Sequence, residues 1–345
     1  MFNHGSKRSS LPAVIGALFC LLLSIASSAT ADDSRKNKGL HPQLLASGLL
    51  GASGATIGPD GALYAVEGAV GKVTRIDLRN GRKHTIATGL PATIPEVGLG
   101  GAMDVEFIGR TAYVLTTLVG QFGGPADGIY RVNSKYDVEL IADLGTFSRD
   151  NPPATPFDLS DGVQFAMQPL HDGFLVTDGH HNRVLHATLD GHISVLKQFD
   201  NIVPTGLAGS FGTAYIGQLG AVPNPPEEGK VLAIGLVNPD VDLPAVASGV
   251  SMIVDVEVGP DGALYALSQG DLGSEIPGAP AAPDTGRLLK VKQNGTFKVL
   301  ADGVNWPTSL NFSPCGDALV VTLSGDVLRY RNVAKPACRG CGKPD

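Results

Sequence analysis

The segment Gly58 to Val66 reads GPDGALYAV, and Gly259 to Leu267 reads GPDGALYAL, 201 residues later. Such a repeat restricts the chain to folds built from copies of one unit. Pro-Asp-Gly is a tight-turn sequence: proline presets φ, aspartate bonds back to the backbone, and glycine accepts a positive φ. The apolar run that follows has strand length, so each copy reads as strand, turn, strand. Looser copies occur at Phe107–Leu115, Leu170–Asp178, Ser210–Gln218 and Ser313–Val321. Aligning their second strands places Tyr64, Tyr113, Val176, Tyr215, Tyr265 and Val320 in register, which makes six units.

Each unit continues with a third strand after a Gly or Asn, as in GKVTRIDL from Gly71 and GRLLKVKQ from Gly286. The first five units add a fourth, but the sixth stops after its third. The missing strand is found at the other end of the chain, where QLLASGL (Gln43 to Leu49) matches KVLADGV from Lys298. The expected fold is therefore an all-β, six-bladed β-propeller of four-stranded blades, its ring closed by an N-terminal strand, which removes the open edge. Six units of about 50 residues use nearly the whole chain as one domain. The 45 glycines recur at turn positions within an apolar pattern, which fits a turn-rich β domain better than low complexity.

The propeller is expected over residues 40–333, with a cysteine-containing tail at 334–345. Residues 1–31 read as a signal peptide: Lys7 and Arg8, an apolar run from Leu11 to Ile25, and a small-x-small site at Ala29-Thr30-Ala31. Residues 32–39 are a polar leader. The expected protein is exported, periplasmic or extracellular, with no membrane span after cleavage. A net charge of −7 without a basic stripe argues against a nucleic-acid partner.

Long segments join strands two to three (Thr116 to Asp127, Gly217 to Glu228, Ser268 to Thr285) and strands four to one (Leu90 to Ala102, Thr146 to Ser160). In a propeller these share one face, which makes it the expected working face. Inner-strand positions at the channel mouth fall near Gly54, Asp104, Asp161, Thr205, Asp255 and Thr308. Asp104, Asp161 and Asp255 are candidate oxygen ligands for a divalent metal such as Ca²⁺; the alternative is a wet polar channel without one. Strand alternation puts Glu106 and Glu257 on the same faces as Asp104 and Asp255.

Asp178, His180 and His181 in TDGHHN form a second candidate cluster, for a transition metal or acid–base work, with a plain polar turn as the alternative. Trp306, the only tryptophan, is either a platform for a flat ligand or a plug at a blade junction. Nucleophile, phosphate and dinucleotide signatures are missing from the sequence. Three cysteines follow the leader. Cys338 and Cys341 lack the helix start of a redox motif and the second pair of a zinc site. A long disulfide from Cys315, to Cys338 or else Cys341, is expected, since the last strand delivers the tail to the face that carries the Cys315 turn. The competing pairing is Cys338 with Cys341.

The pattern GPDGALY…GKVxRID…IATGL resembles NHL-type and gluconolactonase-type six-bladed propellers. With SGATIGPDGALYAVE, LIADLG and DGVQF, nearly the whole mature chain is similar to the ScyD/ScyE family. Members are exported propellers named from scytonemin biosynthesis, in which an aromatic indole–phenol pigment is made. The resemblance implies a small, aromatic or phenolic ligand at the channel mouth and oxidative coupling of reduced monomers. A gluconolactonase-type Glu, Asn and Asp metal set is not matched by Asp104, Asp161 and Asp255. Three expectations stand: an enzyme-like binder of an aromatic molecule, a non-catalytic binding or scaffold propeller, and a metal-dependent lactonase-like hydrolase.

Overall fold

A computed structural model of the protein describes residues 39–98, 100–221, 228–274 and 280–336. The expected leader, and the tail from residue 337, lie outside the described residues. None of the described helices is long and apolar enough to cross a membrane.

Six four-stranded antiparallel sheets form the blades of a β-propeller. From the axis outwards, blade one is Ala52–Ile57, Leu63–Glu67, Lys72–Ile76 and Lys83–Thr88. Blade two is Gly101–Ile108, Thr111–Thr117, Gly128–Ser134 and Asp137–Asp143. Blade three is Gln164–Pro169, Gly173–Asp178, Arg183–Thr188 and Ile193–Gln198. Blade four is Pro204–Ser210, Thr213–Gln218, Gly229–Gly235 and Ala247–Val250. Blade five is Ile253–Val258, Leu264–Ser268, Gly286–Val291 and Phe297–Val304. Blade six takes Pro307–Phe312, Ala318–Thr322 and Val327–Tyr330 from the end of the chain, and Gln43–Ala46 from its start.

The closing strand pairs as expected, with Gln43 opposite Arg329 and Leu44 opposite Leu328. Behind it, Ala46 and Leu49 join a buried cluster with Leu63 and Ile76 of blade one and Leu319 and Val327 of blade six. The core is a series of such apolar layers between neighbouring blades. Each fully buried Leu, Val or Ile contributes about 1.5–3 kcal/mol.

The repeated turn works as its residues dictate. Gly61 has φ 74° in open space, Gly61 N donates to Gly58 O, and Asp60 accepts from Ala62 N. Gly262 (φ 75°) and Asp261 repeat this in blade five. Both aspartates also pair a cation on strand three, Arg75 at 2.7 Å and Lys290 at 2.8 Å.

Every inner strand carries a bulge after its first residues, as between Ala102 and Asp104 and between Ile253 and Asp255. The bulge re-aims the side chains that follow it. An additional helix, Leu144–Asp150, interrupts the expected loop between blades two and three, with Asp143 Oδ1 capping it by accepting from Thr146 N at 2.8 Å.

The chain beyond Tyr330 turns back onto the tight-turn face. Ala334 is buried and its N donates to Gly316 O. Cys315 is disulfide-bonded, so it is not the free thiol of the competing pairing. The expected partner, Cys338, lies outside the described residues.

Candidate functional site

The bulges set the channel register. Pairing makes Gly54, Asp104, Ala166, Gly206, Asp255 and Ser309 equivalent, one per blade. Two residues on, the next level is Thr56, Glu106, Gln168, Ala208, Glu257 and Asn311. Blades two and five stand opposite each other in a ring of six. Each therefore contributes one aspartate and one glutamate to facing walls of the channel.

The aspartates are ties between blades. Asp104 Oδ1 accepts from Val105 N and its Oδ2 from Met167 N in blade three, both at 2.8 Å. Asp255 repeats this with Val256 N at 2.8 Å and Leu310 N of blade six at 2.7 Å. Glycine stands on the preceding blade in both cases: a Cβ at Gly54 would lie 2.2 Å from Asp104 Oδ1, and one at Gly206 would lie 2.5 Å from Asp255 Oδ1.

The glutamates line a cavity of about 380 Å³ with Thr56, Gln168 and Asn311. Its rim includes Pro260, Ser313 and Pro314, residues of the one-to-two turns of blades five and six. The cavity thus opens towards the tight-turn face, at the end of the channel opposite the expected loop-rich mouth. Tight turns leave that end of the channel uncovered. Thr56 Oγ1 donates to Glu106 Oε2 at 3.1 Å, and Asn311 Nδ2 donates to Ala55 O at 2.8 Å.

Among the described residues no cation enters this group, so burial dominates its acid–base behaviour. It pushes Asp104 up to about 8 and Asp255 up to about 7, against the pull of their main-chain donors. Glu106 and Glu257 are raised well above the ordinary carboxylate range, by burial first and then by the neighbouring acids. The channel carboxyls therefore keep protons at pH values where ordinary carboxylates have lost them. Neutral acids donate hydrogen bonds, which carboxylates cannot.

The expected metal set does not assemble. Asp161 lies three residues before the inner strand of blade three, whose true equivalent of Asp104 is Ala166. Asp161 is instead paired with Arg149 and accepts from Ser160 Oγ at 3.0 Å. Among the described residues, no three His, Cys, Asp or Glu side chains gather to hold a metal ion. The oxygens of Asp104 and Asp255 are already committed to main-chain amides.

The TDGHHN cluster is a closed network. Asp178 is fully buried and accepts from Arg183 Nε at 3.0 Å and Val163 N at 3.1 Å. Arg183, also buried, donates through Nη2 to Ser148 Oγ and His181 Nδ1, and through Nη1 to Asn151 O. His181 Nε2 lies 2.9 Å from Leu159 O, so it carries the proton and leaves Nδ1 to accept from Arg183. Burial pushes the Asp178 carboxyl up, but the Arg183 guanidinium beside it holds it below the usual range. This residue is out of reach of a ligand, contrary to its candidacy. His180 is half-buried, and burial lowers its basicity.

Trp306 is half-buried, and its Nε1 donates to Ala281 O at 2.7 Å. It fastens the long blade-five loop, which favours the plug over the platform. A second cavity of about 410 Å³ is formed by Pro59, Asp60, Tyr64, Phe107 and Arg110, between blades one and two on the tight-turn face. Tyr64 and Phe107 meet there edge to face at 4.8 Å. Sequence reasoning missed Thr56, Gln168 and Asn311 as channel residues. Their common offset from each bulge was the available signal.

No protein-family model and no curated protein matches this chain. Solved structures do. A PQQ-bound aldose sugar dehydrogenase from Streptomyces coelicolor superposes with a TM-score of 0.55 at 12% identity, over 83% of this chain and 95% of that one. A gluconolactonase from Xanthomonas campestris gives 0.55 at 11%, over 83% and 88%. A calcium-binding protein, regucalcin, from Agrobacterium tumefaciens gives 0.55 at 13%, over 86% and 95%. These likenesses establish the six-bladed propeller fold, shared with gluconolactonase-like proteins.

Proposed function

We propose that the channel is the functional site and that it takes a small, hydroxyl-rich molecule of the sugar or sugar-lactone class. The observation that carries this reading is the facing pair Glu106 and Glu257 in a polar cavity of about 380 Å³. That volume suits a compact ligand. Thr56, Gln168 and Asn311 supply hydroxyl and amide partners, and the raised acids add donors. Once one of the two facing glutamates gives up its proton, the pair is an acid and a base across the channel. In a lactonase-like reaction, the ionised one takes a proton from the attacking water, and the protonated one gives a proton to the departing ring oxygen. The solved gluconolactonase with the same fold supports the reading.

A second reading follows from the Tyr64–Phe107 cavity, where two aromatic rings lie beside Arg110. These groups would stack against an aromatic or phenolic molecule, as the ScyD/ScyE resemblance implies, and its catalytic form would be oxidative coupling, in which an external oxidant of the dioxygen class takes the two electrons and two protons released. Either reading takes the protein as exported after removal of residues 1–31.

Calorimetric titration with a panel of aldoses, aldonolactones and indole–phenols separates the two, followed by turnover assays on the binders. The channel reading expects a sugar or lactone to bind and Glu106→Gln/Glu257→Gln to weaken it at least tenfold. Binding of the phenolic compounds alone, lost in Phe107→Ala and retained in the glutamate variant, would replace it with the second reading.

A further inference from the structure

Asp127 ends the long blade-two loop and is 1% exposed. Its Oδ1 accepts from Val119 N at 2.8 Å, and the main-chain amides of Gly120 and Gln121 also face the carboxylate, but no hydrogen bond of ordinary geometry reaches its buried Oδ2 among the described residues. An unsatisfied carboxylate oxygen in the interior is costly. Asp161, also 1% exposed, comes from the crossing into blade three. Two glycines clear the space between these acids. A Cβ at Gly120 would stand 3.3 Å from Asp127 Oδ2 and 3.4 Å from Asp161 Oδ2. A Cβ at Gly145 would press on Asp161 Oδ2 at 3.0 Å. Both oxygens thus border one cradle of atomic size. Gln121 Oε1 is close by, accepting from Asp161 N at 3.2 Å and Ser160 Oγ at 3.4 Å, both long. The positive charge at the cradle comes from Arg149, paired with Asp161 Oδ2, and its side chain is 44% exposed.

We propose that this cradle is a site for a hard divalent cation of the Ca²⁺ class, bound by Asp127 and Asp161 with Gln121 Oε1 and water. All the donors are oxygens, and Ca²⁺ tolerates irregular, water-completed shells at 2.3–2.6 Å, whereas Mg²⁺ demands a near-ideal octahedron. Asp127 Oδ2 gains the partner it lacks. Arg149 is the competitor: its exposed guanidinium swings outward when the ion takes Asp161. The ion would tie the blade-two loop to the crossing into blade three on the loop-rich face. This site is separate from the channel and independent of the proposed function.

Isothermal titration of the full chain with CaCl₂ tests it. The expected results are a single site in the wild type, affinity at least tenfold weaker in Asp127→Asn, and affinity several-fold tighter in Arg149→Gln, where the competitor is gone. Gly120→Ala fills the cradle without changing a charge and should also weaken binding at least tenfold. Glu106→Gln/Glu257→Gln should bind like the wild type. The proposal is overturned if neither wild type nor Arg149→Gln binds at millimolar CaCl₂, if Asp127→Asn binds unchanged, or if the channel variant alone loses the ion. Thermal melts with CaCl₂ or EDTA keep the test readable in a weakened variant: a Tm raised by the ion in the wild type but not in Asp127→Asn supports the site, and equal shifts in both refute it.

Discussion

Two groups of buried acids in this ring meet opposite electrostatic conditions. In the channel, Asp104, Glu106, Asp255 and Glu257 face one another with no cation among them, and their proton affinities rise. Beside the crossing from blade two to blade three, Asp178 is more deeply buried still, yet Arg183 holds it ionised. Burial alone therefore does not set the state of a carboxylate. The partner does. The channel keeps exchangeable protons and an open cavity, which suit ligand binding. The Asp178 network has every strong donor and acceptor matched, which suits fixing the helix Leu144–Asp150 against blade three.

The comparison breaks most sharply at Arg183. Arg183→Leu leaves Asp178 buried without its cation and frees Asn151 O and Ser148 Oγ. Breaking a buried pair from one side costs about 3–5 kcal/mol. Chemical denaturation should show that loss. Asp178→Asn/Arg183→Leu removes the stranded charge and should recover part of it. An Arg183→Leu variant as stable as the wild type would mean that the network is not closed.

The channel makes the next largest prediction, and its sign is fixed by linkage. Unfolded carboxylates titrate near pH 4, whereas the channel acids hold their protons up to about 7 for Asp255 and about 8 for Asp104. Between those values the folded state binds more protons than the unfolded one, so stability falls as pH rises. The loss accumulates from about pH 5 to about pH 9 and should reach several kcal/mol, since each pH unit of differential protonation is worth about 1.4 kcal/mol. In Glu106→Gln/Glu257→Gln, two titrating groups disappear and like-charge neighbours with them, so the slope should flatten. Denaturant midpoints across that range check both curves. A wild type that gains stability over the same interval would show that the channel acids are ionised when folded.

The sequence carried the architecture because its signal is repeated. GPDGALY, the glycine or asparagine before each third strand, and the orphan QLLASGL left few alternatives to a closed ring. It carried the shared face of Asp104 with Glu106, since alternation is local. It did not carry register across blades. DGVQF looks like the counterpart of MDVEF, yet the chain makes its Gly162 turn (φ 69°) before blade three begins, so Asp161 falls outside the channel. Partners distant in sequence were also invisible: the Asp104 tie to Met167 spans 63 residues, and the Asp161 contact with Arg149 depends on a seven-residue helix. Asp127 gave no sign at all, because a loop aspartate before a glycine reads as an ordinary turn.

The smallest expected effect distinguishes Arg149 of the crossing helix from Arg183 of blade three, which packs against that helix. Arg149, like Arg183, pairs with a buried aspartate, but its side chain is 44% exposed where that of Arg183 is 1% exposed. Water can replace the Arg149 head at Asp161 once it is cut away, and Asp161 keeps its bond from Ser160 Oγ. A pair with one solvated partner is worth about 0–1 kcal/mol. Arg149→Gln should therefore lower stability by less than about 1 kcal/mol in the absence of divalent cations, and the difference should shrink further at high salt. Equilibrium denaturation in EDTA, at low and high ionic strength, gives the number. A loss comparable to that of Arg183→Leu would mean that Asp161 depends on its arginine as strictly as Asp178 does, and exposure would no longer explain the difference between the two pairs.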